Sequence, residues 1–382
     1  MISNYWQIVV SPCPMGERCV PEYRRRRMVA VRYQGRTNTV GTNAVLEIVE
    51  LGFQWHGLDP FIMTMHHLDE YPHGNDDQGP VDSLAGRRIG SDFSGQDGWS
   101  MYHGNVVPGF PQHPHRGFET VTVVRKGYVD HSDSLGATAR YGGGDVQWLT
   151  TGSGVQHAEM FPLIKDHGDN TLELFQIWLN LPPESKMVPA YFRMLWSETI
   201  PTVTPAPGVS VDVIAGVLDG HQAPEATPDS WASSDAGDMA IWLVRLEPGA
   251  SWDLPTAPVG VNRMLHFFEG SAVTVDGAEV SSGHGVRLTP DVEVPITNIG
   301  EPAEFLLLQG RPIGAPVFQL GPFVMNTPDE LQQAFDDYRT TGFGGWPWSR
   351  RDPVHGRTEG RFALHANGNI EHRDMQTAAT ES

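Results

Sequence analysis

Two short segments of this chain carry side chains that could bind one metal ion together. His113 and His115 lie in the stretch PQHPHRGF, and His157 and Glu159 lie in GVQHAEMF. Residues two apart on an extended strand point to the same face, so each pair would present both side chains on one side. If the two segments pair within one barrel, three imidazole nitrogens and one carboxylate oxygen meet. That donor set suits a divalent first-row transition metal and leaves room for additional oxygen ligands.

Either pair alone is weak evidence, because a lone pair of this kind is more often a hydrogen-bonded surface or core feature. Both pairs occur in neighbouring strand-like segments with Gly-rich turns between them, and this coincidence favours the metal site. Other histidines fit a site less well. His66 and His67 are adjacent and would face opposite sides of a strand. His131 and Asp133 share the two-residue spacing but lie in a turn-like polar segment, where we expect a surface role.

Glu119 follows the first pair closely. We expect it either to hold one of the imidazoles by a hydrogen bond or to form an ion pair with Arg116 or Arg125. Three aromatic residues near the two segments could line the mouth of a cavity. Aromatic residues of barrels usually fill the core, so a core position is favoured for them. They are Phe110, Phe118 and Trp148.

The segments that would position these residues have the pattern of short β-strands. FETVTVV alternates with a period of two, and LELFQIWLNLP is an apolar run ended by two prolines. The 42 glycines and 30 prolines favour many short strands joined by tight turns. A second set of such segments follows residue 238, and HFFEGSAVTVDG occupies the place that VVRKGYVDHSD has in the first. We interpret this as an internal duplication that gives an all-β chain with two tandem β-barrels.

One helix is expected near the end of the chain. Thr327 is suited to cap it, Pro328 to its first position, and Glu330 to the capping box. The apolar residues at three- and four-residue spacing would form its packing face. They are Leu331, Ala334, Phe335 and Tyr338.

Composition excludes several classes of function. The chain has 382 residues and a formal net charge of −20, which argues against binding to nucleic acid. The run Arg24 to Arg27 opposes this trend and is expected to be a solvated arm, and translation from Met28 would leave it out. No apolar run is long enough to cross a membrane. Cys13 and Cys19 are the only cysteines, which predicts a reducing, cytoplasmic location without a disulfide framework.

Five segments together resemble the pirin family, a branch of the cupin superfamily. They are HPHRGFETVT, DHSDSLG, GDVQWLTTGSGVQHAEM, LFQIWLNLP and GPFVMNT, and they cover the chain from about residue 43 to 345 in the family's order. The resemblance implies two tandem cupin domains, which are jelly-roll β-barrels, with a metal, usually iron, in the first. The family's ligands correspond to His113, His115, His157 and Glu159.

The resemblance and the segment pattern together predict the following division of the chain. Residues 1–42 form an N-terminal extension expected to be disordered, and residues 43–200 form the metal-binding cupin domain, with a long loop at 73–104 that is longer than in a typical pirin. Residues 201–230 are a connection, and residues 231–325 are a second cupin domain. A packing helix at 326–345 and a polar tail at 346–382 complete the chain, and the tail is expected to be loosely held from about residue 356.

The second barrel is expected to hold no metal. Aligning the turns of the two halves places Thr256 and Pro258 opposite the first histidine pair, and Ile296 and Asn298 opposite the second pair. None of these is a strong metal ligand. The histidines of this half, His266 and His284, are therefore expected to make hydrogen bonds.

For function, the resemblance implies a metal-dependent dioxygenase that opens the ring of a flavonol such as quercetin with O2 and releases carbon monoxide. Glu159 would be both a ligand and the acceptor of the flavonol proton. Fe(II) is the expected metal, with Mn, Co, Ni, Cu and Zn as alternatives. The alternative function is a non-enzymatic, metal-binding regulatory protein that acts through a protein partner, either a transcription factor or a metabolic enzyme.

Overall fold

The computed structural model describes residues 44–374, and the regular secondary structure of this range consists mainly of antiparallel β-strands. The all-β expectation is therefore confirmed. The expectations for the first 42 residues lie outside the described residues. Among the residues described, no helix has the length and apolar character needed to cross a membrane.

Twenty-seven strands and one α-helix are present in this part of the chain. The first thirteen strands are β1 (Val45–Glu50), β2 (Gln54–His56), β3 (Phe61–Tyr71), β4 (Gly109–His115), β5 (Phe118–Lys126), β6 (Tyr128–Asp133), β7 (Thr138–Gly142), β8 (Val146–Thr150), β9 (Val155–Met160), β10 (Asn170–Asn180), β11 (Tyr191–Leu195), β12 (Thr202–Ala206) and β13 (Val209–Ala215). The remaining strands are β14 (Val217–Leu218), β15 (His221–Gln222), β16 (Ala240–Leu246), β17 (Ser251–Leu254), β18 (Asn262–Glu269), β19 (Ala272–Val275), β20 (Ala278–Ser281), β21 (His284–Leu288), β22 (Val294–Asn298), β23 (Ala303–Gly310), β24 (Phe318–Leu320), β25 (Phe323–Met325), β26 (Phe362–Leu364) and β27 (Ile370–His372). The helix is α1 (Pro328–Thr341), and short 3₁₀ turns lie at Gln96–Gly98, Pro183–Ser185, Ser197–Thr199, Trp231–Ser233, Asp235–Gly237 and Gly342–Gly344.

The first barrel is built from two six-stranded sheets. One has the order β11-β8-β5-β10-β3-β2, and the other has the order β27-β26-β7-β6-β9-β4. In the second sheet β4 is the edge strand, and β9 lies between β4 and β6. The segment from Tyr71 to Gly109 that joins β3 to β4 contains no regular strand.

The second barrel combines a seven-stranded sheet with a four-stranded sheet. The larger sheet has the order β1-β21-β18-β23-β16-β13-β12, and the smaller one has the order β17-β22-β19-β20. Strand β1 pairs with β21 and so belongs to the second barrel, although the predicted first domain begins at residue 43. The predicted connection at 201–230 contributes two strands of the larger sheet, β12 and β13. The predicted domain boundaries themselves stay a prediction.

An apolar core joins the two barrels. Alternation along β5 sends Val121 and Val123 into this shared core, where both are buried. Thr122, between them, faces the inside of the first barrel. The second barrel covers the outer face of β5, so both faces of this alternating strand are buried. The shared core includes Trp55, Trp148 and Phe175 of the first barrel and Ile241 and Leu306 of the second.

A charged network also crosses from one barrel to the other. Arg125 on β5 pairs with Glu173 on β10 and with Glu304 on β23. Glu173 also accepts a hydrogen bond from His66 at 3.1 Å and lies 3.0 Å from the Lys126 ammonium. Burial by itself would raise the pKa of Glu173, but the hydrogen bond and the two cations outweigh it and lower the pKa to about 2.

The expected C-terminal helix is confirmed. Thr327 caps α1 by accepting a hydrogen bond from the Glu330 amide, and the Glu330 carboxylate accepts one from the Thr327 amide. Leu331 and Ala334 are the buried residues of its packing face.

The expectation of a loosely held tail is wrong for the described residues after α1. Strand β26 adds to the first barrel by pairing with β7, where Ala363 lies opposite Ala139. Arg140 forms a buried pair with Asp130 and donates hydrogen bonds to the carbonyls of Gly356 and Glu359. A polar composition did not indicate this because the tail attaches through backbone groups and a buried charge pair.

The network around Glu173 predicts an acid-sensitive contribution to stability. The folded pKa of about 2 lies below the ordinary value of 4.5, so the contribution is present above about pH 4.5 and is lost as the pH falls toward 2. We expect Glu173→Gln to lower the free energy of unfolding by about 2 kcal/mol at pH 7 and to have little effect near pH 2. Guanidinium denaturation at several pH values would measure this difference.

The matched control is Glu279→Gln, which alters an exposed carboxylate on β20. Equal destabilisation by the Glu173 variant at pH 7 and pH 2.5 would contradict the assigned role.

Candidate metal centre

The antiparallel pairing of β4 with β9 brings the two predicted ligand segments together. His113 lies directly opposite His157, and Phe110 lies opposite Glu159. Gly109 permits the close approach, because it has φ +125° and a Cβ there would lie 2.5 Å from the Glu159 carbonyl oxygen. The pairing brings the three histidines of the two pairs to one place in the first barrel.

The three imidazoles form a compact cluster. One ring nitrogen from each of His113, His115 and His157 lies within 4.8 Å of the others. The ring centroids are 4.4 Å apart for His113 and His157, 4.8 Å for His113 and His115, and 4.9 Å for His115 and His157. Within residues 44–374, His113, His115 and His157 form the one group of three or more histidine, cysteine or carboxylate side chains whose potential ligand atoms lie close enough together to bind one metal ion.

Hydrogen bonds to backbone carbonyls orient two of the rings. The Nδ1 atom of His113 lies 3.0 Å from the Pro111 carbonyl oxygen, and that of His115 lies 3.3 Å from the Pro322 carbonyl oxygen. Each Nδ1–H group can donate to its carbonyl, which leaves the Nε2 lone pair directed into the cluster.

The buried nitrogens fit a metal ion. Nε2 of His115 and both ring nitrogens of His157 are buried without a hydrogen-bond partner. Buried polar atoms are almost always paired, so unpaired nitrogens in one cluster indicate a ligand that the protein atoms do not supply. Nitrogen donors of this type suit a divalent transition metal.

Burial also keeps the imidazoles neutral. It lowers the pKa of His113 to about 4 and the pKa values of His115 and His157 well below the ordinary range. Electrostatic interaction with neighbouring histidines lowers the pKa values of all three further, because two adjacent rings cannot easily both be protonated. Neutral rings have a free lone pair, which a metal ligand requires.

Glu159 lies beside the histidine cluster but outside the group of three. Its Oε2 atom is 3.7 Å from Nε2 of His157 and accepts a hydrogen bond from the Gln176 amide at 2.7 Å. Its Oε1 atom accepts one from the Thr122 hydroxyl at 3.2 Å. Burial raises the pKa of this carboxyl, and His131 and these hydrogen bonds oppose the rise. Its role as a fourth ligand stays a prediction.

The structure overturns the surface role expected for His131 and Asp133. Both are completely buried on β6, where His131 lies opposite Glu159 and Asp133 lies opposite His157. Nε2 of His131 is 3.2 Å from the Asp133 carboxylate, and its Nδ1 is 3.0 Å from the Gln147 amide. The same two-residue spacing that marked the ligand pairs was the available signal. That spacing indicates a place beside the histidine cluster only because β6 pairs with β9.

Neither expectation for Glu119 holds. Its buried carboxylate accepts hydrogen bonds from three hydroxyls, those of Thr150, Thr227 and Ser230. It therefore ties β5 to the connection between the barrels and does not hold an imidazole. Arg116 instead pairs with Asp337 of α1 at 2.7 Å.

The aromatic residues divide between the core and the site. Trp148 is buried in the core between the barrels, as expected. Phe118 is also buried, and it packs edge-on against His115 together with Trp178. Phe110 is half-buried, with its ring centroid 6.3 Å from that of His113.

Polar side chains at the corresponding places in the second barrel make hydrogen bonds. Asn298 donates to the carbonyls of Leu246 and Glu301, and Nδ1 of His266 lies 3.0 Å from the Leu306 carbonyl oxygen. Ile296 is buried in the core of this barrel.

The sequence reasoning missed two residues that contact Glu159, namely Thr122 and Gln176. Gln176 is a single amide in the middle of the apolar run of β10, and a buried amide needs a partner. That isolated polar residue was the signal that could have identified it.

Fold and site together define a two-barrel protein of the cupin class with a histidine cluster in its first barrel. The Pirin family model matches residues 54–179, and the model described as Pirin C-terminal cupin domain matches residues 241–344. The chain belongs to the pirin family, as its motifs predicted.

Known relatives agree with this membership. A Pseudomonas aeruginosa protein provisionally named quercetin 2,3-dioxygenase is 36% identical over 238 residues, covering 62% of this chain and 80% of that protein. Human pirin is 35% identical over 250 residues, covering 64% of this chain and 80% of its own length. The crystal structure of a quercetin 2,3-dioxygenase from Acinetobacter baumannii has a TM-score of 0.62 at 25% identity, covering 79% of this chain and 98% of that chain.

The cluster predicts one divalent metal per chain. We expect Co(II) titration to saturate at one equivalent, and we expect His157→Ala to weaken binding by at least about 100-fold because it removes the central donor. Isothermal titration calorimetry of the metal-free protein would measure both values. His284→Ala, a histidine of the second barrel, is the control and should bind Co(II) like the unaltered protein.

Undiminished Co(II) affinity in the His157 variant would show that the ion binds elsewhere.

Proposed function

We propose that this protein is a metal-dependent dioxygenase that opens the ring of a flavonol such as quercetin with O2. The observation that carries this proposal is the cluster of three neutral imidazoles with unpaired buried nitrogens next to a buried carboxylate. The likeness to the Acinetobacter baumannii quercetin 2,3-dioxygenase and the name of the Pseudomonas aeruginosa relative support the choice of reaction.

A divalent transition metal, with iron as the proposed ion, would supply a Lewis acid for the substrate oxygens and a centre for the activation of dioxygen. His113, His115 and His157 would hold it through ring nitrogens. Two of these rings are already oriented by backbone carbonyls, so little reorganisation accompanies binding.

Glu159 is the proposed acceptor of the flavonol hydroxyl proton. Its carboxylate is held by Thr122 and Gln176, so it stays directed at the histidine cluster. The Gln176 amide is itself oriented, because its Oε1 atom accepts a hydrogen bond from the Trp178 indole at 3.2 Å. A base held in this way is in place before the substrate arrives.

The walls of the site exclude water from one side. Phe118 and Trp178 are buried against His115, whereas His113 is the half-buried member of the cluster. Substrate would therefore approach from the side of His113. A dry inner wall strengthens the electrostatic interactions with the reacting atoms.

The test is incubation of iron-loaded protein with quercetin and O2, followed by flavonol absorbance and carbon monoxide release. We expect turnover that His115→Ala abolishes and that Glu159→Gln lowers by about 100-fold or more, since general-base catalysis contributes on this scale. Iron content is measured in each variant, so that loss of the ion is separated from loss of the base. Glu279→Gln serves as the matched control.

Absence of turnover in fully iron-loaded protein would contradict the dioxygenase proposal. That result would favour the regulatory alternative, in which the same site acts through a protein partner.

A further inference from the structure

A group of aromatic rings extends from the metal centre toward the protein surface. Phe110 is 6.3 Å from His113 between ring centroids, and it is 6.4 Å from Phe93 and 5.7 Å from His103. Phe93 and His103 contact each other at 5.2 Å with their rings nearly perpendicular. Phe93 and His103 belong to the segment between β3 and β4. The side chains of Phe93, His103 and Phe110 are all half-buried. We call Phe93, His103 and Phe110 the aromatic wall.

The aromatic wall stands on the open side of the site. Phe110 lies opposite Glu159 on β9, so its side chain is on the same sheet face as the Glu159 carboxylate. His113, next to it, is the most accessible of the three histidines. A flat ligand with oxygen atoms at the cluster would therefore meet Phe110 first and then the two rings beyond it.

The segment that carries the aromatic wall is held rigidly. The Asp92 carboxylate accepts hydrogen bonds from Arg87 and from the Met101 amide, both at 3.0 Å. The Arg87 guanidinium lies 3.3 Å from the centroid of the Trp99 ring and also donates to the Trp99 carbonyl. His103 is fixed by a 2.8 Å hydrogen bond between its Nδ1 atom and the Gly90 carbonyl oxygen.

Tyr102 supports the aromatic wall from behind. It stacks on Phe110 at 5.1 Å with an angle of 27° between the rings. Its backbone has φ +55°, which a non-glycine residue adopts only where its surroundings enforce it. Here they do, because the buried hydroxyl donates to Asp69 at 2.7 Å and lies 2.9 Å from Nδ1 of His67. A strained and fully hydrogen-bonded support of this kind fixes the position of the ring in front of it.

We propose that Phe93 and His103 determine substrate specificity by contacting an aromatic ligand whose oxygen atoms are held at the histidine cluster. Because the two rings are nearly perpendicular, one meets the face of the ligand and the other meets its edge. The chain then selects planar aromatic oxygen ligands over non-aromatic chelators. This inference rests on the proposed function for the position of the ligand. Binding to preorganised rings loses little side-chain entropy, which is why a rigid segment suits the task.

The experiment measures binding without turnover. Zinc-loaded protein is titrated anaerobically with quercetin, and the dissociation constant is read from tryptophan fluorescence quenching. We expect Phe93→Ala and His103→Ala each to raise that constant by about three- to tenfold, the range that aromatic contacts contribute. Binding of oxalate, a non-aromatic chelator, and the zinc content should stay unchanged in both variants.

Phe93→Leu keeps the apolar volume while removing the ring, so it separates stacking from packing. It should weaken quercetin binding as the alanine variant does, with an unchanged melting temperature. Phe362→Ala, a half-buried phenylalanine on β26 at the far side of the same sheet, is the matched control and should bind quercetin normally.

Unchanged quercetin affinity in the Phe93 and His103 variants would overturn the proposal, and so would an equal loss of oxalate binding. Failure of the zinc-loaded protein to bind quercetin would overturn it as well. Quercetin binding that depends on Phe93 in a protein without turnover would support the aromatic wall while refuting the dioxygenase reaction.

Discussion

The candidate site depends on one constraint, namely that several imidazole nitrogens are buried without a hydrogen-bond partner among the protein atoms. These atoms are Nε2 of His115 and both nitrogens of His157, although folding normally pairs or hydrates every buried polar group. Burial lowers the pKa values of the three imidazoles and so keeps them neutral. The edge strand β4 is held against β9 by backbone pairing, so the three rings cannot separate to find other partners. The fold therefore holds together a set of imidazole nitrogens that a bound metal ion would satisfy.

The second barrel and the segments that follow it support this site, although they lie apart from it in sequence. The Pro322 carbonyl, which orients His115, lies in the segment just before β25. Arg116, the neighbour of that histidine, is held by Asp337 of α1. The apolar core between the barrels and the network of Arg125, Glu173 and Glu304 join the sheets behind the site. The later part of the chain thus holds the histidine cluster of the first barrel in place.

Polarity divides the first barrel into distinct regions around the histidine cluster. The inner face of β6 and β9 is polar, with His131 and Glu159 side by side. The wall behind His115 is apolar and closed by Phe118 and Trp178. The side of His113 is bounded by half-buried aromatic rings. This arrangement combines imidazole nitrogens, a buried carboxylate and an apolar wall, which are the parts that the proposed reaction requires.

By itself, the sequence determined the strands that carry the three histidines, the shared face of these side chains and the capped helix. Each of these follows from local periodicity or spacing, which a single segment contains in full. Tertiary structure alone decided which neighbours cover those faces. His131 is buried because β6 pairs with β9, Glu119 is satisfied by Thr227 and Ser230 of a distant connection, and the tail adds a strand to the first barrel. Periodicity within a segment predicts which face of a strand is apolar. Which strand or side chain packs against that face depends on contacts between residues far apart in the chain.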